Sequence, residues 1–142
     1  MGSVRQLEDV AVADCAWEID AVDLPDLFGT AATALAELTV DPATLVDTVD
    51  VPVELTADAL DLLLFDFLSD LIYRRDADGV VLHRGALTVT GDGPYRLAGV
   101  LGGGRLDPSV TVRRSDPKAV TFHQLAVERT AGGWRARVVI DI

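Results

Sequence analysis

The sequence predicts an α+β domain in which two helices pack on a mixed, mainly antiparallel sheet. Three observations predict it. Residues 57–75, A-D-A-L-D-L-L-L-F-D-F-L-S-D-L-I-Y-R-R, place Leu60, Leu63, Leu64, Phe67, Leu68 and Leu71 at helical spacing. Residues 24–38 carry a second stripe of that period. After residue 79 the chain runs through about five β-rich segments with no helical stripe between them, and strands that lack crossover helices pair antiparallel. The order β-α-β-α followed by strands excludes a doubly wound parallel fold.

The chain has 142 residues, 49% hydrophobic and 25% charged, which fits one globular domain over residues 1–142. Its net charge is −11. The one Lys and eleven Arg are dispersed, whereas a nucleic-acid surface needs clustered cations, so no direct nucleic-acid partner is expected. Acidity of this size suits a cation site or a basic partner. The single cysteine, Cys15, excludes an internal disulfide and a cysteine-based zinc site. The N-terminus M-G-S-V-R-Q-L-E-D lacks a signal-peptide core, and the apolar run 62–65 is far short of the ~20 residues of a membrane span. The expectation is a cytoplasmic protein with no membrane partner.

Taken in order, residues 10–19 read as a strand with Cys15, Trp17 and Ile19 on one face and Asp14, Glu18 and Asp20 on the other. The alternation slips over Ala11, Val12 and Ala13, which implies a bulge beside Asp14. Asp23 caps the first helix, Pro25 sits in its first turn and Asp26 suits the positive end of its dipole. Leu24, Leu27, Phe28, Ala31, Leu35 and Leu38 form its stripe, and Asp41-Pro42 ends it. Val49, Val51, Val53 and Leu55 alternate with polar residues, and Pro52 puts this strand at an edge. Thr56 is the expected cap of the second helix and Asp78-Gly79 its stop. The second helix is apolar around most of its girth, with Leu62, Phe65 and Ile72 outside the main stripe, so two of its sides must be covered. Residues 80–90, 95–101, 110–114 and 118–129 read as strands, with a tight turn at 91–94. Gly102-Gly103-Gly104 lacks the Lys-Ser/Thr of a phosphate loop and reads as a flexible loop. A hairpin turn at 131–133 leads to a last strand with Trp134, Ala136, Val138 and Ile140 on one face.

Few residues invite chemistry. His83 reads as a surface strand residue. His123 lies on the face of Thr121 and Leu125, a position for a hydrogen-bonded structural histidine. With Cys15 they make three scattered ligands, without zinc spacing. No serine sits in a nucleophile elbow. Asp141 is followed only by Ile142 in the sequence, so its carboxylate lies near a main-chain carboxylate. Two hard oxygen groups suit Ca²⁺ or Mg²⁺ rather than zinc. Read from the residues alone, Asp141 is a solvated or Arg137-paired surface acid rather than a ligand.

Assembled, these residues resemble the archease family. Ala13-Asp14 matches the end of its H-T-A-D motif, and Leu24-Pro25-Asp26-Leu27-Phe28 with Asp41-Pro42 resembles its first helix and stop. Leu62-Leu63 to Leu71-Ile72-Tyr73 resembles its central helix. K-A-V-T-F-H, from Lys118 to His123, resembles its K-A-x-T-Y/F-H motif, and Val139-Ile140-Asp141-Ile142 resembles its ending. The resemblance implies an archease-like fold and a divalent-cation site at Asp14, Asp141 and Ile142, with Ca²⁺ ahead of Mg²⁺ or Mn²⁺. It also implies a non-enzymatic role: activating the RtcB-type RNA-splicing ligase, by promoting guanylation and multiple turnover in tRNA splicing and RNA repair. Lys118, Asp116 and His123 are the candidate partner contacts. The chain departs from the family where its motif histidines stand: Ala11 and Thr111 occupy those positions, and Val12 replaces the motif Thr. Two other readings remain open, a small metal-dependent hydrolase using the same carboxylates and a metal-independent chaperone that binds apolar segments.

Overall fold

Segments of helical period become helices and alternating segments become strands, in the order β1 (Ser3–Leu7), β2 (Asp14–Ala21), α1 (Leu24–Thr39), β3 (Val49–Ala57), α2 (Leu60–Asp78), β4 (Val80–Gly91), β5 (Tyr95–Arg105), β6 (Ala119–Thr130) and β7 (Gly133–Asp141). The structure, a computed structural model, describes residues 2–7 and 14–142. The predicted bulge over residues 11–13 and the start of the predicted first strand lie outside the described residues.

The α+β class with two helices on antiparallel strands holds, and the strands divide into two sheets. One has the order β1-β2-β7-β6 and the other β3-β5-β4, with every strand pairing antiparallel. Each helix touches both sheets. α1 lies against β1, β2, β7 and β4, while α2 lies against β6 and against all three strands of the smaller sheet. This is how the broad apolar girth of α2 is covered. Leu63, Leu64, Phe67, Leu68, Leu71 and Ile72 are buried in one cluster with Trp17, Ile19, Val138 and Ile140 of the larger sheet and Val53, Leu97 and Leu101 of the smaller. The Phe28 and Phe67 rings meet between the helices at 5.8 Å, tilted by 60°.

The helix ends follow from local chemistry. Asp23 accepts a hydrogen bond from the Asp26 N–H at 2.8 Å and caps α1. Gly79 ends α2 in the left-handed conformation (φ 65°), which a glycine adopts without steric cost. The predicted Thr56 cap is corrected: β3 runs on to Ala57, opposite Tyr95 of β5, and Ala59 occupies the cap without a side-chain bond. Ladder hydrogen bonds claim Thr56 before the helix can use it.

Three further expectations are corrected. Gly102-Gly103-Gly104 is strand, not loop. A Cβ on Gly103 would meet the Val81 carbonyl oxygen at 1.9 Å, so these glycines mark where strand backbones approach closely. Residues 110–114 form no strand beyond one bridge, Arg113 to Val40, because Asp107 captures the chain in a turn. Its side chain accepts from the Ser109 N–H at 2.9 Å and its carbonyl from Val110 and Thr111. The strand β1 carries no buried residue and gave no apolar alternation to read. Pro52 does mark an edge strand, as β3 is outermost in its sheet.

His83 is half-buried rather than a free surface residue. It occupies the register shift of β4 between Leu82 and Arg84, where its Nε2 bonds Asp47 Oδ1 at 2.7 Å while Arg84 Nε donates to Oδ2 at 3.2 Å. These bonds, the one from His83 foremost, hold the Asp47 carboxyl below its ordinary range. The native state thus binds fewer protons than the unfolded chain near the ordinary carboxylate pKa of about 4.

Two outcomes are expected. Leu64→Ala and Phe67→Ala each cost ~2–5 kcal/mol in a denaturant melt, since each opens a cavity at a fully buried site, while the partly exposed Leu62→Ala costs less than about 1 kcal/mol. The Asp47 contribution is complete above about pH 4 and fades as the pH falls through its depressed pKa. Asp47→Asn therefore lowers the melting temperature at neutral pH, and the difference from wild type shrinks in acid.

Candidate functional site

The site is built on the face of the larger sheet that points away from the helices. Cys15, Trp17, Ile19 and Ala21 turn inward from β2, and the even-numbered residues turn outward. The β2–β7 register sets four rows on the outer face: Asp14 opposite Asp141, Ala16 opposite Val139, Glu18 opposite Arg137, and Asp20 opposite Arg135.

Three of these rows are chemically matched. Ala16 and Val139 are an apolar, buried pair. Glu18 is 7% exposed, yet it is surrounded by cations: Arg5 from β1 donates to it, Arg137 Nη2 lies 3.4 Å away and Arg135 Nε 3.6 Å. Asp20 accepts from Arg135 Nε at 2.7 Å and Nη2 at 3.3 Å. That bond holds the Asp20 carboxyl below its usual range and raises Arg135 further.

The fourth row is not matched. Asp14 faces another carboxylate, and among the described residues no ion pair includes either Asp14 or Asp141. Arg137 is committed to Glu18 and Gln124, so the reading of Asp141 as its partner does not hold. Like charges directly opposite on neighbouring strands repel, and their Cβ atoms sit about 4.5–5.5 Å apart. Two hard carboxylates at that spacing fit the donor set of Ca²⁺ or Mg²⁺. No group of three or more His, Cys, Asp or Glu side chains converges as a metal cage among the described residues. A cation here must take further oxygens from the main chain, solvent or a partner.

The remaining predicted residues are distributed around this row. Ile142 is half-buried and packs against the main core. Lys118 is exposed, and its N–H donates to the Asp141 carbonyl at 2.7 Å. Asp116 pairs with Arg75 of α2 at 2.9 Å. His123 is corrected: it is exposed, not a structural histidine within a ladder. The β6–β7 register jumps from Thr121–Val139 to Ala126–Arg137, so residues 122–125 bulge from the ladder against Val138 alone, with Gln124 at φ 54°. The structure thus brings Asp14, Asp141 and the Lys118 backbone together and leaves His123 on the bulge.

Arg75 was not legible as a functional residue. Its side chain is 10% exposed, and Nη2 donates to the Pro117 carbonyl at 2.6 Å as well as pairing with Asp76 and Asp116. It fixes the approach to Lys118. A basic residue in a last helical turn was the only hint. Cys15 is buried opposite Ile140, and burial pushes its thiol pKa up, away from nucleophilic use.

The profile of the archease protein family matches residues 5–142. The chain belongs to the archease family. Archease from Methanosarcina mazei is 34% identical over 119 residues, covering 82% of each chain. Archease from Archaeoglobus fulgidus is 34% identical over 131 residues, covering 92% of this chain and 93% of its own. The solution structure of a Methanobacterium thermoautotrophicum protein superposes with TM-score 0.78 at 26% identity over 98% of each chain. A crystal structure from Thermotoga maritima, titled an archease and possible chaperone, superposes with TM-score 0.67 at 22% identity and shares the fold. Among the described residues no helix is long and apolar enough to cross a membrane.

The facing carboxylates predict their own test. In the absence of divalent cations, Asp14→Asn should stabilise the protein by about 0.2–1 kcal/mol, because it removes one of two charges that repel across the strands. The check is a chemical melt in chelator.

Proposed function

We propose that this archease-family chain is a non-enzymatic activator of an RtcB-type RNA ligase, acting in tRNA splicing and RNA repair by promoting ligase guanylation and repeated turnover. In this reading Asp14, Asp141 and Ile142 hold a divalent cation, Ca²⁺ ahead of Mg²⁺ or Mn²⁺. Family membership supports the activator role, and the chaperone wording attached to the Thermotoga maritima protein is of the same kind.

One observation carries the cation part: of four rows on the outer face, only Asp14–Asp141 lacks compensating charge or apolar contact. When bound, the cation supplies the missing positive charge and an oxygen-seeking centre. The chain's own residues supply the rest. β2 and β7 hold the two carboxylates in register, and the Lys118 N–H fixes the backbone of Asp141. Lys118 and Asp116 stand beside them for contact with a partner. An activator shifts a conformational equilibrium only by binding one state of its partner more tightly than the other. The contact surface must therefore read the guanylation-ready ligase, not the ligase in general.

Asp141→Ala tests both parts. It opens no core cavity, so the fold survives. With Ca²⁺ at a hundredfold excess over Kd the wild type gains about 2.7 kcal/mol of stability and the variant much less. Single-turnover guanylation of the cognate ligase accelerates with wild type and not with the variant. Full cation stabilisation and full acceleration by Asp141→Ala would sink the assignment.

A further inference from the structure

Phe122 is a large aromatic residue placed where water should reach it, 66% exposed at the first position of the β6 bulge. Its ring stacks on that of Phe65 from α2, with centroids 4.2 Å apart and planes 6° from parallel. Leu62, one helical turn before Phe65, is 41% exposed. Leu62, Asp66, Ser69 and Tyr73 follow one line along α2, and Tyr73 is 66% exposed. Exposed aromatic and aliphatic groups gathered in this way are the composition of interface centres.

The charge beside Leu62 and Phe65 on α2 is acidic. Asp58, just before α2, and Asp66 are exposed and Asp61 is half-buried, each within four residues of Leu62. No ion pair among the described residues includes any of the three. Asp70 is paired with Arg74, which is the first basic residue of α2. The bulge is a separate observation. It departs from the ladder for four residues and holds Gln124 in the left-handed region, a conformation that costs a non-glycine residue energy. A regular strand would return residues 122–125 to the ladder. The bulge instead keeps Phe122 against α2 and in solvent.

We propose that this flank of α2, with the Phe122 bulge of β6, docks a basic peptide segment of a protein partner in which Lys or Arg alternates with aliphatic side chains. The aliphatic groups cover Leu62, Phe65 and Phe122, and the cations meet Asp58, Asp61 and Asp66. A second copy of this chain is a poor occupant, because its acidic rim would face the same rim. A nucleic acid is excluded by the same carboxylates. The surface contains neither Asp14 nor Asp141, so it stands or falls separately from the cation site and from the identity of the ligase.

The test uses the whole protein and a synthetic amphipathic peptide of Leu and Lys, with a Leu/Glu peptide of equal length as counterpart. Calorimetry at low and physiological salt reads the Kd. The Leu/Lys peptide binds and the Leu/Glu peptide does not. Phe122→Ser and Asp66→Lys each weaken binding by about tenfold or more, a loss of about 1.4 kcal/mol. Glu37→Lys, an equal charge change at an exposed position of α1, changes it less than about twofold. Should Phe122→Ser fail to fold, Asp66→Lys at its exposed site carries the comparison. The proposal is overturned by no binding, by equal binding of both peptides, or by a Glu37→Lys effect as large as that of Asp66→Lys. Sedimentation showing a dimer that Phe122→Ser dissociates would also overturn it, assigning the face to a second copy.

Discussion

The antiparallel register of β2 against β7 is the constraint on which the rest depends. Side chains alternate with period two, so a slip of one residue would turn Cys15, Trp17 and Ile19 to solvent and Glu18 into the core. Both faces pin the register. Inside, these residues pack against Ile140, Val138 and Ala136. Outside, Glu18 is nearly enclosed, and removal of its arginines would strand a charge away from water, which is strongly destabilising. The register that satisfies Glu18 necessarily sets Asp14 opposite Asp141. The register thus fixes the two positions but not their charge: either residue could be neutral without loss to the packing.

The large negative charge is spread unevenly in its consequences. On the outer face of the larger sheet, Glu18 and Asp20 are answered by arginines, from β1 and β7, and the Asp14–Asp141 row is not. Exposed pairs of this kind contribute little to stability on their own, and the enclosed Glu18 group is the exception. Along the first half of α2 the acids have no such answer, and there they border apolar side chains instead.

Much of the fold could be read because its signals were local. The stripe of α1, its Asp23 cap and the αL stop at Gly79 depend on neighbours in sequence, and they stand as the spacing indicates. The girth of α2 required cover on two sides and obtained it from two sheets. What could not be read was set at long range. The triple glycine is strand because Val81 and Val46 backbones press against it, and Thr56 is strand because Tyr95 pairs next to it. The bulge at residues 122–125 breaks an alternation that the sequence continues without interruption, so His123 was placed in a ladder it does not join. Asp141 was singled out from the residues and Asp14 from a resemblance, and no spacing along the chain reveals that they are neighbours across strands. Arg75 was invisible because its partners, Asp116 and Pro117, lie some forty residues away in the chain.

That distant grip has a consequence for how the protein opens. Arg75 joins the last turn of α2 to the segment entering β6, 42 residues on, and the next amide, Lys118, is held by Asp141. Unwinding the end of α2 releases Pro117, then Lys118, then the final strand's carbonyl. These pieces therefore exchange their amide protons as one cooperative unit rather than fraying independently, although they belong to a helix, a connecting segment and a sheet.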